Sequence, residues 1–179
     1  MSWLSSLAVL MLAQVPADGA AQLQKVDGVM PALRRMAADP ELVQAVRAQN
    51  ARQVPLATIR EQDETWRASP MPTPFKQRVL DTACSRVLNR YRERLGLIVA
   101  EAFAMDEQGA LVGSTRRTSD YWQGDEAKFQ VPFAKGQPLR EKPFFDESSQ
   151  AYVIQVSLPV RDGARTIGAL TVGLSLLDL

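Results

Sequence analysis

The sequence has no histidine among its 179 residues and a single cysteine, Cys84. The first absence excludes a Ser-His-Asp triad, a Cys-His pair, an HExxH zinc site and a histidine-ligated haem. The second excludes intrachain disulfides, CxxC redox chemistry and thiolate metal clusters. A dominant charge is lacking too. Lys and Arg total 21 against 20 Asp and Glu, a formal net charge of +1, which argues against a nucleic-acid binder. Aromatic residues make up only 7%. What is present is ordinary globular material, 46% hydrophobic and 23% charged, enough for one core without disulfides or metal. The composition leans towards binding rather than catalysis, with no cofactor implied.

No apolar run reaches the roughly 18 residues of a membrane span. The run WLSSLAVLML, Trp3 to Leu12, has the length of a signal h-region instead. Small residues follow it, and cleavage after Ala17, Gly19 or Ala21 fits the pattern, with Ala21 favoured. No Lys or Arg precedes Lys25, so a basic start is missing. The competing expectation is a short buried amphipathic helix. Export implies a bacterial periplasmic protein, with no membrane insertion after cleavage. No cysteine follows the run to take a lipid anchor.

Helices are expected first and strands last. Residues 1–21 form the signal peptide, 22–72 a helical leader and 73–179 one domain. Val29, Leu33 and Met36 have helical spacing, with a break or start expected between Asp27 and Pro31. Asp39 and Pro40 suit a helix cap and first position, and Leu42, Val43 and Val46 form the next stripe. ATIREQDETWRAS fits either a helix or an extended segment, and the proline-rich stretch Ser69 to Phe75 reads as a linker. From Pro74 a long helix is expected, with Phe75, Val79, Ala83, Val87 and Tyr91 at every fourth position and Gly96 ending it. Lys76, Arg78, Arg86, Arg90, Arg92 and Arg94 fall on its other face, expected to be solvated, with a binding patch as the alternative.

Two hairpins follow. LIVAEAFAMD and ALVGST flank the turn DEQG, and AYVIQVSLPV and TIGALTVGLSL flank RDGAR. Tyr152, Ile154, Val156, Leu158 and Val160 share one greasy face with Leu170, Val172, Leu174 and Leu176; Tyr152 is taken as core. Gln155, Ser157, Thr171, Gly173 and Ser175 lie opposite. Between the hairpins, Arg116 to Gln150 is too long for an ordinary loop and should hold a short helix in GDEAKFQVPF. The fold class is therefore α+β: one antiparallel sheet, a helical layer on the greasy face, and a cavity under the long connection.

The hairpin D-x-x-G-x-L-V, the segment TSDYWQGDE and the closing hairpin V-S-L-P-V-x-D-G-x-x-x-G-A-L-T-V-G resemble a Cache domain, a PAS-like extracytoplasmic sensor family also called PDC. The resemblance spans Phe75 to Leu176. It implies a PAS-like antiparallel sheet and a small organic acid or amino acid held between sheet and connection. The family's domains usually sit between two membrane helices of a chemoreceptor, kinase or cyclase. This sequence reaches Leu179 with neither a second membrane helix nor an output domain, so a free-standing periplasmic binding or accessory protein is expected. A membrane receptor or kinase is a further expected partner, and pairing of two copies through the N-terminal helices stays open.

Each candidate binding residue has a structural alternative. Tyr121 and Trp122 can wall a polar ligand or anchor the loop. Asp120 can receive an amine or cap a helix. Arg116 and Arg117 can clamp a carboxylate or be exposed charges, and Lys128 is a second cationic candidate. Glu101 falls between Val99 and Phe103, at the sheet edge or in the cavity, where burial would raise its pKa. Gln155, Ser157 and Thr171 can line the less greasy face. Catalysis lacks a constellation: Asp125 and Glu126 are adjacent, no GxSxG is present, and Asp120, Asp125 and Glu126 lack a metal-loop pattern. Two functional classes remain. One is a periplasmic ligand-binding sensor. The other is an interaction protein whose pocket is filled by its own side chains and which modulates a membrane sensor kinase, chemoreceptor or transporter.

Overall fold

The computed structural model describes residues 20–179, so the expected export run lies outside the described residues. Helix α1 (Ala20–Ala37) runs straight through Pro31, against the expected break there. Proline inside a helix costs about 3 kcal/mol. Val26, Met30, Leu33 and Met36 are all buried along one stripe of that helix, each gaining about 1.5–3 kcal/mol, which offsets the defect. Helix α2 (Pro40–Asn50) starts as expected, with the Asp39 side chain accepting the Glu41 N–H at 3.0 Å. The segment that fitted helix or strand is helix α3 (Leu56–Arg67).

The long helix expected from Pro74 is two helices, α4 (Pro74–Leu80) and α5 (Ala83–Leu95). Thr82 starts a new helix by accepting the Ser85 N–H at 3.1 Å, and this cap breaks the four-residue period. The break rotates the faces. Ala83 is exposed, and Lys76, expected on the solvated face, is only 2% exposed. Gly96 ends α5 with φ 68, a conformation that suits glycine.

The strands are β1 (Val99–Met105), β2 (Leu111–Ser114), β3 (Leu139–Arg140), β4 (Phe144–Asp146), β5 (Ala151–Asp162) and β6 (Arg165–Ser175). They form one antiparallel sheet in the order β2-β1-β6-β5-β3, with β4 also paired to β5. Both expected hairpins are there. Asp106 closes the first by accepting the N–H groups of Gln108 and Ala110, and Gly109 takes φ 86 in the turn. The fold is α+β with a PAS-like sheet.

Helices α1, α2 and α5 cover one face, burying Ala102, Ile154, Val156, Leu170, Val172 and Leu174 in one cluster with their own apolar stripes. The apolar stripes of these helices are buried against the sheet of the same chain. The expected short helix is α6 (Ala127–Lys135), which covers the opposite face. Its Phe129 joins Phe103, Met105 and Ala169 and stacks on Phe133 at 5.0 Å.

Strict alternation would put Val99, Glu101 and Phe103 on one face. A bulge between Val99 and Glu101 separates them. Val99 joins the helical layer, while Phe103 belongs to the cluster under α6. Tyr152 is not core: it is 51% exposed, at the start of β5, with its ring edge-on to Phe145 at 5.2 Å.

Candidate functional site

Helix α3 fixes the long connection. The Asp63 carboxylate, 6% exposed, accepts the backbone N–H groups of Tyr121 at 2.8 Å and Trp122 at 3.0 Å through one oxygen. Its other oxygen meets Arg67 Nε at 3.0 Å. One turn further on, Trp66 donates its indole N–H to the Thr118 carbonyl at 2.9 Å. Tyr121 packs between Trp66 and Phe75, with ring centroids 5.8 and 4.9 Å away. Burial, and next the charge of Asp106, push its hydroxyl up to about 12. Trp122 donates to the Gln108 carbonyl at 2.7 Å and lies under the Arg60 guanidinium at 4.9 Å. Both aromatics serve as anchors of the connection.

The α6-covered face of the sheet carries Glu101, Gln155, Ser157 and Thr171, all buried. They satisfy one another. Gln155 donates to Glu101 Oε1 at 3.1 Å, and the Ser157 and Thr171 hydroxyls are 2.9 Å apart. Gly173 leaves room here: a Cβ in its place would come 2.9 Å from Glu101 Cγ. Burial first, and the neighbouring Asp146 second, raise the Glu101 pKa above the ordinary glutamate range; Ser148, Lys128 and Gln155 counter this in part. Lys128 pairs with Glu126 at 2.9 Å and stands 5.6 Å over the Phe103 ring.

Arg116, Arg117 and Asp120 come together elsewhere, on a cleft of about 570 Å³ that also involves Arg67, Thr118, Ser119, Glu147 and Ser148. Arg116 donates to the Ser149 carbonyl at 3.3 Å and the Ala100 carbonyl at 3.5 Å, so it ties the connection to β1. Arg117 differs. Its Nε is buried with no hydrogen-bond partner among the described residues, an arrangement that costs free energy until an acceptor arrives. Asp120 faces Arg67 at 3.7 Å. The candidate residues thus divide into a cleft group, a self-paired sheet group with Lys128, and two anchors. Glu101, Gln155, Ser157 and Thr171 do not line the cleft.

Several residues here are not among the binding candidates read from the sequence. Asp63, Trp66 and Arg67 lie in the segment that fitted helix or strand. Lys76 donates to the Ser69 carbonyl and, at 3.2 Å, to the Met71 carbonyl, and lies 5.7 Å from the Trp66 ring. Burial and then the charge of Arg117 lower its pKa. Asp146 binds the N–H groups of Ser148 and Ser149 at 3.1 and 3.0 Å. The Asp-x-Ser spacing of FDESS is the sequence signal of that turn.

A six-stranded antiparallel sheet roofed by a pinned connection, with a cleft lined by Arg67, Arg116, Arg117, Asp120 and Glu147 at its side, defines an α+β architecture. The solved structures similar to it are sensor domains of the Cache type. The sensor domain of the V. cholerae histidine kinase DctB is 17% identical with a TM-score of 0.47, over 88% of this chain and 55% of that one. The ligand-binding domain of the Campylobacter jejuni chemoreceptor Tlp3, solved with L-norvaline, is 13% identical with a TM-score of 0.44, over 86% and 59%. The E. coli DcuS sensor domain is 16% identical with a TM-score of 0.39, over 68% and 91%. This chain spans little more than half the length of the first two, and the likeness assigns no residue a role. No protein-family model and no curated protein matches the sequence.

Proposed function

We propose that the protein is a periplasmic sensor or accessory module that binds a small carboxylate-bearing metabolite, an organic acid or amino acid, in the Arg117 cleft. One observation carries this: the buried Arg117 Nε has no acceptor among the described residues, beside an open cleft. A carboxylate accepts from a guanidinium in a charge-assisted geometry that a neutral ligand lacks. Arg67 shares that cleft, and Thr118 and Ser119 border it. Asp120 and Glu147 stand on the same cleft and suit an ammonium group, which extends the ligand class to amino acids. The Tlp3 domain, solved with L-norvaline, holds a ligand of that amino-acid type. Nothing in the site calls for chemistry on the ligand. No helix among the described residues is long and apolar enough to cross a membrane. Periplasmic location rests on the apolar run at Trp3 to Leu12.

The test is a thermal-shift screen of organic acids and amino acids on wild-type protein and on Arg117→Ala. A stabilising ligand whose shift disappears in the variant supports the proposal. No stabilisation by any member of either class overturns it.

The interaction-protein alternative has one observation in its favour: the polar groups under α6 pair with one another, and Phe129, stacked on Phe133, shares one apolar cluster with Phe103. A specific receptor or kinase ectodomain recovered from periplasm by the immobilised protein, without any stabilising metabolite, would favour it.

A further inference from the structure

We infer that Glu101, Ser148 and Asp146 form a proton-dependent latch that ties the floor of the sheet to the turn bordering the Arg117 cleft. The Ser148 hydroxyl oxygen lies 3.0 Å from Glu101 Oε2 and 3.0 Å from each Asp146 carboxylate oxygen. A serine hydroxyl has one hydrogen to donate, and an ionised carboxylate only accepts. One hydroxyl therefore cannot bond two carboxylates at once. The arrangement is satisfied when one of the two acids keeps its proton and donates it to Ser148.

The remaining partners identify which acid that is. Asp146 accepts the Ser148 N–H at 3.1 Å on one oxygen and the Ser149 N–H at 3.0 Å on the other, the pattern of a carboxylate. Glu101 receives only the Gln155 amide, on Oε1 at 3.1 Å. Its Oε2 is left to carry the hydrogen. The order is then Gln155 N–H to Glu101 Oε1, Glu101 O–H to Ser148 Oγ, and Ser148 O–H to Asp146.

Loss of the Glu101 proton leaves two anions across one hydroxyl, at a residue that is 1% exposed. The charged groups around it do not cancel this. Lys128, from α6, already has its ammonium 2.9 Å from Glu126, with Glu141 as a second acidic neighbour. Arg116, beyond β2, donates to the Ala100 and Ser149 carbonyls. From β5 and β6, Gln155 and Gly173 lie against Glu101, and neither is charged. Burial and Asp146 accordingly keep the acid form past the ordinary glutamate range. Protonated, the latch holds the turn; ionised, it lets the turn open. Ser148 borders the cleft, so opening alters the ligand site; this last consequence rests on the function proposed above, and the latch does not.

The test uses ligand-free full-length protein, so failure of ligand binding leaves it unaffected. Amide exchange of Ser148 and Ser149 is followed against pH in wild type and Glu101→Gln. The introduced side-chain amide keeps both a donor and an acceptor, whatever the pH. Protection in wild type falls by up to about tenfold per pH unit between the ordinary and the raised glutamate range, and stays level in the variant. Level protection in wild type, or the same fall in both proteins, overturns the latch. A carbon-13 carboxyl titration of wild type needs no variant: Glu101 ionising in or below the ordinary range overturns it as well.

Discussion

The Asp63 carboxylate accepts the Tyr121 backbone N–H at 2.8 Å across 58 residues of chain. It also takes the Trp122 N–H, so one side chain of α3 fixes the start of the roof. Asp63→Ala strands both donors where Asp63 is nearly buried. We expect a loss of about 2–4 kcal/mol, read as a shifted midpoint in urea unfolding. A loss under about 0.5 kcal/mol would show that water replaces the carboxylate at no cost.

Two glycines should respond in opposite directions. A Cβ at Gly113 would come 2.7 Å from the Ser85 nitrogen, Ser85 Oγ and Thr82 Oγ1, the atoms that start α5. Gly113→Ala should destabilise by about 1–3 kcal/mol. Gly28, inside α1, has nothing within 4 Å of the added carbon. Gly28→Ala should stabilise by about 0.5–1 kcal/mol. Thermal melts of both variants check the pair, and equal effects would contradict the packing described.

Cys84 is fully buried, and burial pushes its thiol up to about 12. The reactive thiolate is therefore scarce and enclosed. A thiol reagent should label the native protein only as it unfolds, with urea dependence matching global unfolding. Rapid labelling without denaturant would place the cysteine outside the core.

Glu101 sets the sign of one pH effect on stability. Its folded pKa is raised, so the folded chain keeps a proton that the unfolded glutamate has released. Its contribution is fully present below the ordinary glutamate range and is lost as pH rises through the raised value. Urea midpoints should fall over that window in wild type and fall less in Glu101→Gln. A steeper fall in the variant would reverse the assignment.

The hairpins were legible because a two-residue alternation frames a turn, as at Ile154, Val156 and Leu158 before Gly163. The helix α6 and the Asp39-Pro40 start were legible for similar local reasons. The break between α4 and α5 was hidden because apolar residues keep the same spacing across Asp81 and Thr82, while the cap that decides it is one Thr-to-Ser bond. The face of Glu101 depends on a bulge just before it, which alternation alone does not reveal. Arg116 and Arg117 were equal candidates. The difference between them comes from the Ala100 and Ser149 carbonyls, which engage the first and not the second. Asp63 carried no signal at all, since its partners are backbone groups far along the chain.

Contact between Arg117 and a ligand carboxylate is read directly by side-chain nitrogen-15 NMR. When a stabilising organic acid or amino acid is added, the Arg117 Nε–H resonance should move strongly downfield as it gains an acceptor, while Arg116 Nε–H changes little. A ligand that stabilises the protein and leaves the Arg117 resonance in place would contradict the claim.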